Sequence, residues 1–419
     1  MSIANDSPDV IIIGGGLAGL TTAALLGRAG KTVTLYEHSS REIGGRARTT
    51  EIDGFYFNQG PHALCINDSN DSILKEIGIS YTGEIAAGKG YLIKGDKKQE
   101  IDSNLGLTGK DGSQFFKSPT NMDFSQLESM SVQEWLNKNV HDSNDSEIIK
   151  AFIRLNTYGN DPDIQSIGSV LHQIYMGSQA GYMYLDHGWQ TLVDGLVTVA
   201  KNAGVKIILG EKVTKLKKND SLGWRVLLSN KTEVSSKIVV IAAGPMDAHN
   251  LFDEGERPDA LVKAAKESKP IRLVCLDVAL SSLPDKDTTF AIGIDQPLYY
   301  SVHSKYAKLA PEGGALIHVA KYLGTSIAPK PREDGTDLEH FLDLLQPGWR
   351  EVLIKRRPLP NMVVCNAIVT AADGGLAGRP NTKIAENLYV VGDWVGKEGL
   401  LSNASVASAR HASELISKG

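Results

Sequence analysis

Three glycines and one glutamate, Gly14, Gly16, Gly19 and Glu37, have the types and spacing to do chemistry together in this 419-residue chain. Gly14 permits a tight turn, Gly16 lets a pyrophosphate approach the backbone, and Gly19 lets a helix pack closely on a strand. Leu17 and Ala18 fill the turn, where the free N–H groups of a helix start attract a diphosphate. Glu37 stands where a carboxylate accepts hydrogen bonds from the ribose hydroxyls of an adenosine. The set works only if a strand, a helix and a second strand present it. Val10, Ile11, Ile12 and Ile13 are too few and too β-branched for a helix and read as a buried parallel strand. Leu20, Thr21, Ala24, Leu25 and Arg28 keep a helical period up to Gly30, and Thr32 to Tyr36 returns to strand composition. The unit is βαβ, with the acid in register. A glycine-rich turn without a ligand would leave that register unexplained.

Past the acid, Glu42-Ile43-Gly44-Gly45-Arg46-Ala47-Arg48 places paired glycines before an arginine. This resembles the GGR motif of the flavin-dependent superfamily that contains phytoene desaturases, protoporphyrinogen oxidases and amine oxidases. The resemblance implies FAD, with Gly45 and Arg46 beside its diphosphate. It also puts Gly60, in the Gly60-Pro61 turn after Phe55 to Asn58, against the flavin ring, and His62 next to it. His62 reads equally as a structural turn residue. Val213 matches the adenine-contacting position. Near the carboxyl end, Asn387 to Val391 is a strand running into Gly392-Asp393, followed by a small-residue helix over Leu400 to Ile416. By the same resemblance Gly392 and Asp393 meet the ribityl chain, while Leu400 and Leu401 open a helix that faces the flavin pyrimidine. Helix N–H groups there would stabilise negative charge on the reduced ring. The cysteine that some amine oxidases attach to flavin has no counterpart near Asp393 in the sequence, so the expected attachment is noncovalent.

Hydrophobic residues make up 42% of the chain, enough for a large core and two domains. A net charge of −5 gives no case for nucleic acid, whose partners usually carry a basic stripe. Cys65, Cys275 and Cys365 are an odd, sparse set, which fits reduced thiols in the cytoplasm. Ser2 to Asp9 has no basic leader, and the glycines of Val10 to Ala29 argue against a membrane span. No metal site is expected, and peripheral membrane contact is not indicated.

Between the motifs the strand–helix alternation lapses. Asn67 to Gly78 reads as a helix, Gly90 to Ile101 as a hairpin, Gly106 to Gly112 as a loop, and Ser131 to Glu134 as a capping box. Trp189 to Ala203 is a helix closed by Gly204, followed by four strands over Val205 to Ala243 with a turn at Asn219-Asp220. Ile271 to Leu280, Thr289 to Ile294, Leu298 to Val302 and Ala315 to Tyr322 alternate as strands, and Leu338 to Leu345 is helical. The fold class expected is α/β. A Rossmann-type FAD-binding domain (1–85, 187–265 and 366–419) carries a discontinuous α+β substrate domain (86–186 and 266–365), with a mixed sheet plus helices.

The expected activity is hydride transfer from an apolar, isoprenoid-like molecule to flavin N5, with oxygen or a quinone as acceptor. His62, Tyr300, His303, His318 and Lys321 are candidate proton acceptors, His62 and Lys321 foremost. Two alternatives stay open: an amine oxidase producing hydrogen peroxide, and a flavin-free lipid- or prenyl-binding protein of the same architecture.

Overall fold

The computed structural model of the chain describes residues 7–66, 69–102, 105–107, 115, 123–219 and 223–418. Val10–Ile13 lies at the centre of a six-stranded sheet, flanked by Val33–Glu37 and Ile238–Ile241. The first five strands of that sheet, in the order Lys206–Leu209, Val33–Glu37, Val10–Ile13, Ile238–Ile241 and Leu388–Val390, run parallel; Lys383–Ala385 closes one edge antiparallel. One face is covered by the helices Leu17–Arg28, Gln190–Asn202 and Leu401–Lys418, the other by the three-stranded antiparallel sheet Val213–Asn219, Gly223–Leu228 and Glu233–Ser236 with the helices Pro245–His249 and Asp259–Glu267, which is why the central strand is an unbroken apolar run with no alternation. Leu17–Arg28 packs against the carboxyl-terminal helix Leu401–Lys418 through small residues. The strand order reverses between Val10–Ile13 and Ile238–Ile241. In such sheets the ligand crevice opens there, beyond the carboxyl ends of the strands.

The second sheet has seven strands in the order Leu353–Cys365, Ile271–Leu280, Ala315–Leu323, Leu298–Val302, Phe290–Gly293, Tyr91–Lys94 and Lys97–Glu100. It is mixed, since Phe290–Gly293 pairs parallel with Tyr91–Lys94 and its other ladders are antiparallel. Side-chain alternation splits it into two cores. Val274, Leu276, Val278, Ile317 and Val319 face the helix Pro331–Leu345. Leu273, Cys275, Tyr299, Ala320 and Tyr322 face the helices Val132–Asn139, Ser143–Thr157 and Ile167–Ala180.

Most sequence expectations have their counterparts here. The capping box forms, with Ser131 Oγ accepting from Glu134 N and Glu134 Oε2 accepting from Ser131 N at 2.8 Å. Three elements differ. Five strands, rather than four, fill 205–243, because Glu233–Ser236 adds a third strand beside Val213–Asn219 and Gly223–Leu228. The helix before Gln346 begins at Pro331, which suits the first turn because its missing N–H would be unpaired there anyway. The 13-residue strand Leu353–Cys365 was unforeseen: Pro358 and Pro360 argue against a strand, yet it is an edge strand, where a missing donor can face outward. Asp220 of the Asn219-Asp220 turn and most of the 106–112 loop lie outside the described residues.

Candidate functional site

Gly14 has φ +106°, and a Cβ on it would sit 2.6 Å from Ala242 O. A Cβ on Gly19 would fall 2.0 Å from Gly14 O. Both glycines are required by the chain itself. Gly16 is different, because an added Cβ would meet no atom within 4 Å, so the room it leaves is room for something else. Half-buried Leu17 and buried Ala18 start the helix beside it. Gly44 N donates to Gly15 O at 2.8 Å, which lays Gly45 against the first turn. Glu37 is buried; its Oε2 accepts from Gly15 N at 2.8 Å and its Oε1 from Ser39 N at 2.9 Å. Glu37 O also accepts from Glu211 N at 3.1 Å, which ties this end to buried Val213 two residues on.

The same line of contacts continues toward the carboxyl terminus. Gly392, with φ +148°, precedes Asp393, which is 2% exposed. Asp393 Oδ2 accepts from Arg46 Nη1 at 2.8 Å and from Asn366 N at 3.0 Å, while Oδ1 accepts from Asn366 Nδ2 at 2.7 Å. Burial pushes this carboxyl up, but Arg46 and Asn366 outweigh it and hold the acid below its ordinary value. Arg46 Nη1 also donates to Val364 O at 2.7 Å. Leu400 is buried against Val369 and Leu376, and Leu401 starts the last helix with φ +56°. Beside them, Arg379 Nη1 donates to Gly399 O at 2.8 Å. Cys365 lies close in space although it is 28 residues away in sequence, its Sγ 4.0 Å from Asp393 O. Burial pushes the Cys365 thiol up to about 12, which makes it an inert neighbour at neutral pH.

Gly60 lies against the seven-stranded sheet. It has φ +77°, and a Cβ there would meet Met362 Cε at 2.5 Å and Cys275 Sγ at 3.7 Å. His62 follows, half-buried, with Nδ1 3.1 Å from Gly60 O and its ring edge-on to Trp189 at 4.9 Å. Burial, opposed by the Gly60 carbonyl but aided by His318 and Arg46, lowers its pKa to about 4. Tyr158 reaches the same turn, its hydroxyl donating to Pro61 O at 3.2 Å, and its ring lies 6.1 Å from that of Tyr322.

Beneath this turn the sheet presents a polar group that the sequence reading did not assemble. Asp277 is fully buried; Oδ1 is 2.5 Å from His318 Nδ1, and Oδ2 accepts from Arg357 Nη2 at 2.5 Å. Arg357 also donates to Asn58 O and lies over the Phe57 ring. Burial raises the Asp277 pKa, but His318 and Arg357 more than reverse it. His303 stacks on Tyr184 at 3.9 Å, approaches the His318 ring at 4.4 Å, and is held well below the ordinary histidine range by burial. Among the described residues His303 Nδ1 and His318 Nε2 have no hydrogen-bond partner. Cys275, Asp277 and His318 bring donor atoms within 4.8 Å of one another, but Arg357 already supplies the cation that Asp277 needs. Strand period puts Cys275 and Asp277 on one face; the ladder that pairs Asp277 with both His318 and Arg357 is a tertiary fact.

Lys321 and Tyr300 require correction. Both point to the opposite face of the sheet: Lys321 Nζ donates to Asp334 at 2.8 Å and Asp337 at 2.6 Å, and the Tyr300 hydroxyl to Thr288 O at 2.9 Å. Alternation from His318 and Tyr322 sends Lys321 to the helix Pro331–Leu345, away from Gly60 and His62.

The residues fit FAD: open space at Gly16 for a diphosphate, and an acid at each end of the same line of contacts. Residues 12–75 match an NAD(P)-binding Rossmann-like domain, and residues 91–327 a flavin containing amine oxidoreductase. A 4,4'-diapolycopen-4-al dehydrogenase of Metabacillus indicus is 25% identical over 308 residues, 63% of this chain and 59% of that protein. A carotenoid 3,4-desaturase of Haloarcula japonica is 47% identical over 53 residues, 13% of this chain and 10% of that one. The chain thus spans less than two thirds of either relative. An oxidoreductase from Methanosarcina mazei shares the fold with a TM-score of 0.76 at 21% identity, covering 97% of this chain and 99% of its own. Because the flavin family's match takes in more than half of its residues, this chain belongs to the flavin containing amine oxidoreductases.

Proposed function

We propose that this protein is an FAD-dependent oxidoreductase that dehydrogenates an apolar, isoprenoid-like molecule. The observation that carries this reading is the packing beside the Gly60-Pro61 turn. Tyr158, Tyr322, Tyr299 and Cys275 dominate it, and its carboxylate Asp277 is committed to Arg357 and His318. A cationic amine would find no free acid there, and Tyr158 and Tyr322 are in mutual contact, leaving no gap between them for an ammonium group. The relatives named for carotenoid dehydrogenation and desaturation point the same way.

Bound along the line from Glu37 to Asp393, FAD would supply the two-electron chemistry. The chain's own residues would do the rest. Gly16, Leu17, Ala18, Gly45 and Arg46 would hold the diphosphate, Glu37 and Val213 the adenosine, and Gly392 and Asp393 the ribityl chain, with Leu400 and Leu401 at the helix start. The tyrosines would orient an apolar substrate and keep the site dry. His62, neutral at pH 7 because burial lowers its pKa to about 4, can accept a proton where a protonated histidine could not. Oxygen or a quinone would take the electrons. All three cysteines are buried, Cys275 and Cys365 as free thiols, in keeping with the cytoplasm, and among the described residues no helix is long and apolar enough to cross a membrane.

Anaerobic reduction of the FAD-loaded protein tests the reading. Isoprenoid-like alkenes are expected to bleach the flavin faster than primary amines do, and His62→Ala to slow that bleaching while keeping the flavin. Rapid bleaching by amines, with peroxide formed on admitting air, would replace this reading by amine oxidation. A protein that takes up no flavin at all would be a binding protein of the same architecture.

A further inference from the structure

The Gly60-Pro61 turn is held from outside as well as by its own bonds. His62 takes its position from two supports, Gly60 O at 3.1 Å from its Nδ1 and the Trp189 ring, which it meets edge-on at 4.9 Å. Both supports hang on Asn58, which is buried. Asn58 O accepts from Gly60 N at 2.9 Å, while Asn58 Oδ1 accepts from Trp189 N at 3.0 Å and from Thr49 Oγ1 at 2.7 Å. Arg357 reaches this junction from the seven-stranded sheet. Its Nη2 donates to Asn58 O, its Nη1 donates to Phe57 O at 3.5 Å, and the guanidinium lies over the Phe57 ring at 4.8 Å. The other edge of the fork is anchored in the sheet, where Nε and Nη2 donate to Asp277 Oδ2 at 3.1 and 2.5 Å. Arg357 and Asp277 are cross-strand neighbours, so register alone puts them on one face. His318 Nδ1, on Oδ1 of the same carboxylate, fixes the anchor in turn.

A buried carboxylate beside His318 needs a cation, and a lysine would supply one. A planar fork is needed only where a second acceptor at a fixed angle must be met at the same time. Here that acceptor is Asn58 O, the atom on which the turn closes. We propose that Arg357 is a positioning residue for the redox site: anchored on Asp277, it fixes the Gly60-Pro61 turn against the sheet through Asn58 and so sets where the His62 ring stands. This inference rests on the reading of His62 as proton acceptor given above, and adds to it the residue that aims that acceptor.

The test compares wild type with Arg357→Lys and Arg357→Met. In the apoprotein, the His62 ring is titrated by NMR of labelled histidine, its signal assigned by its loss in His62→Ala. Wild-type His62 is expected to stay neutral down to about pH 4, and the Lys variant to titrate at least about one unit higher. The charged groups that face His62 are Arg46 and His318, with His303 the next imidazole, and none of them is altered. Because Lys keeps the charge of Arg357, a raised titration reports a ring that has moved toward solvent. In the FAD-loaded protein, Arg357→Lys is expected to reduce its flavin at least about tenfold more slowly with an isoprenoid-like alkene, at an unchanged half-saturating concentration, as a small misplacement does. If Arg357→Met does not fold, the Lys variant decides alone. Wild-type titration and wild-type reduction rates in Arg357→Lys would overturn the inference. So would a fall in melting temperature with the His62 titration unmoved, which would leave Arg357 as a structural partner of Asp277 only. A His62→Ala variant with wild-type reduction rates would overturn the proton-acceptor reading instead, and the NMR titration then decides the positioning by itself.

Discussion

The two sheets of this molecule use their residues in opposite ways. In the parallel sheet recognition would fall largely to backbone: Gly14 and Gly19 shape the chain, Gly16 leaves space, and Glu37, Arg46 and Asp393 contribute charge. In the seven-stranded sheet the work falls to side chains from separate strands, such as Asp277, His318 and Arg357, none of which means anything without the others. The first kind of site tolerates change in most side chains and none in its glycines. The second is sensitive at every member, because removing one leaves its partners buried and unpaired.

The contrast is broken or sharpened most strongly at Asp277. Asp277→Ala strands Arg357 and His318 in the interior, and we expect a loss of about 3–5 kcal/mol of stability, read by denaturant unfolding. A loss under about 1 kcal/mol would mean the group is surface-like and the contrast false.

On the other side, Glu37→Ala and Asp393→Ala should weaken FAD binding, each charged hydrogen bond contributing about 1.5–3 kcal/mol, or a roughly ten- to hundredfold change in affinity. Fluorescence titration of the apoprotein measures this. If both variants bind FAD as the wild type does, the line from Glu37 to Asp393 is not the cofactor path. FAD should also leave the protein on acid denaturation; flavin retained on the polypeptide would point to Cys365 as its attachment.

A smaller effect concerns pH. His62 and His303 are held below the ordinary 6.5 of histidine when folded, so the unfolded chain binds more protons below that pH. The stability they lend is fully present above pH 6.5 and is lost as pH falls toward their folded values, about 4 for His62. Each contributes a slope of at most about 1.4 kcal/mol per pH unit in that window. His62→Gln should flatten the fall in melting temperature between pH 6.5 and 4, and an unchanged slope would show that His62 stays solvated. Asp277 acts in the same direction at lower pH, its stabilisation disappearing only below the ordinary carboxylate range.

The smallest effect is expected at Lys321. Its partner Asp337 is half-exposed, whereas Asp334 is buried but keeps Lys330 N on its Oδ2, and Lys321→Ala should cost about 1–2 kcal/mol in stability and leave flavin reduction rates unchanged. A slowed reduction would return Lys321 to the redox centre and contradict its placement on the far face.

The βαβ unit, the GGR turn, the terminal Gly392-Asp393 and the capping box at Ser131 were legible in the sequence. Each is a local device whose geometry follows from glycine φ angles, helix ends and strand period within about forty residues. Strand Leu353–Cys365 was not legible, since its prolines are excluded from a central strand and only the finished sheet makes it an edge. The side of the sheet on which Lys321 would lie could be related to Tyr322 by period, but which side met the Gly60-Pro61 turn could not. Cys365 beside Asp393, Asn366 on its carboxylate and Arg357 on Asp277 join segments 27 to 80 residues apart, and no local rule couples such residues. Sequence alone determined the glycine-rich strand–turn–helix on which a dinucleotide is proposed to lie, because such a backbone device is written in contiguous residues. Tertiary structure alone decided which side chains share the buried face beside it, because that depends on register and burial between strands distant in the chain.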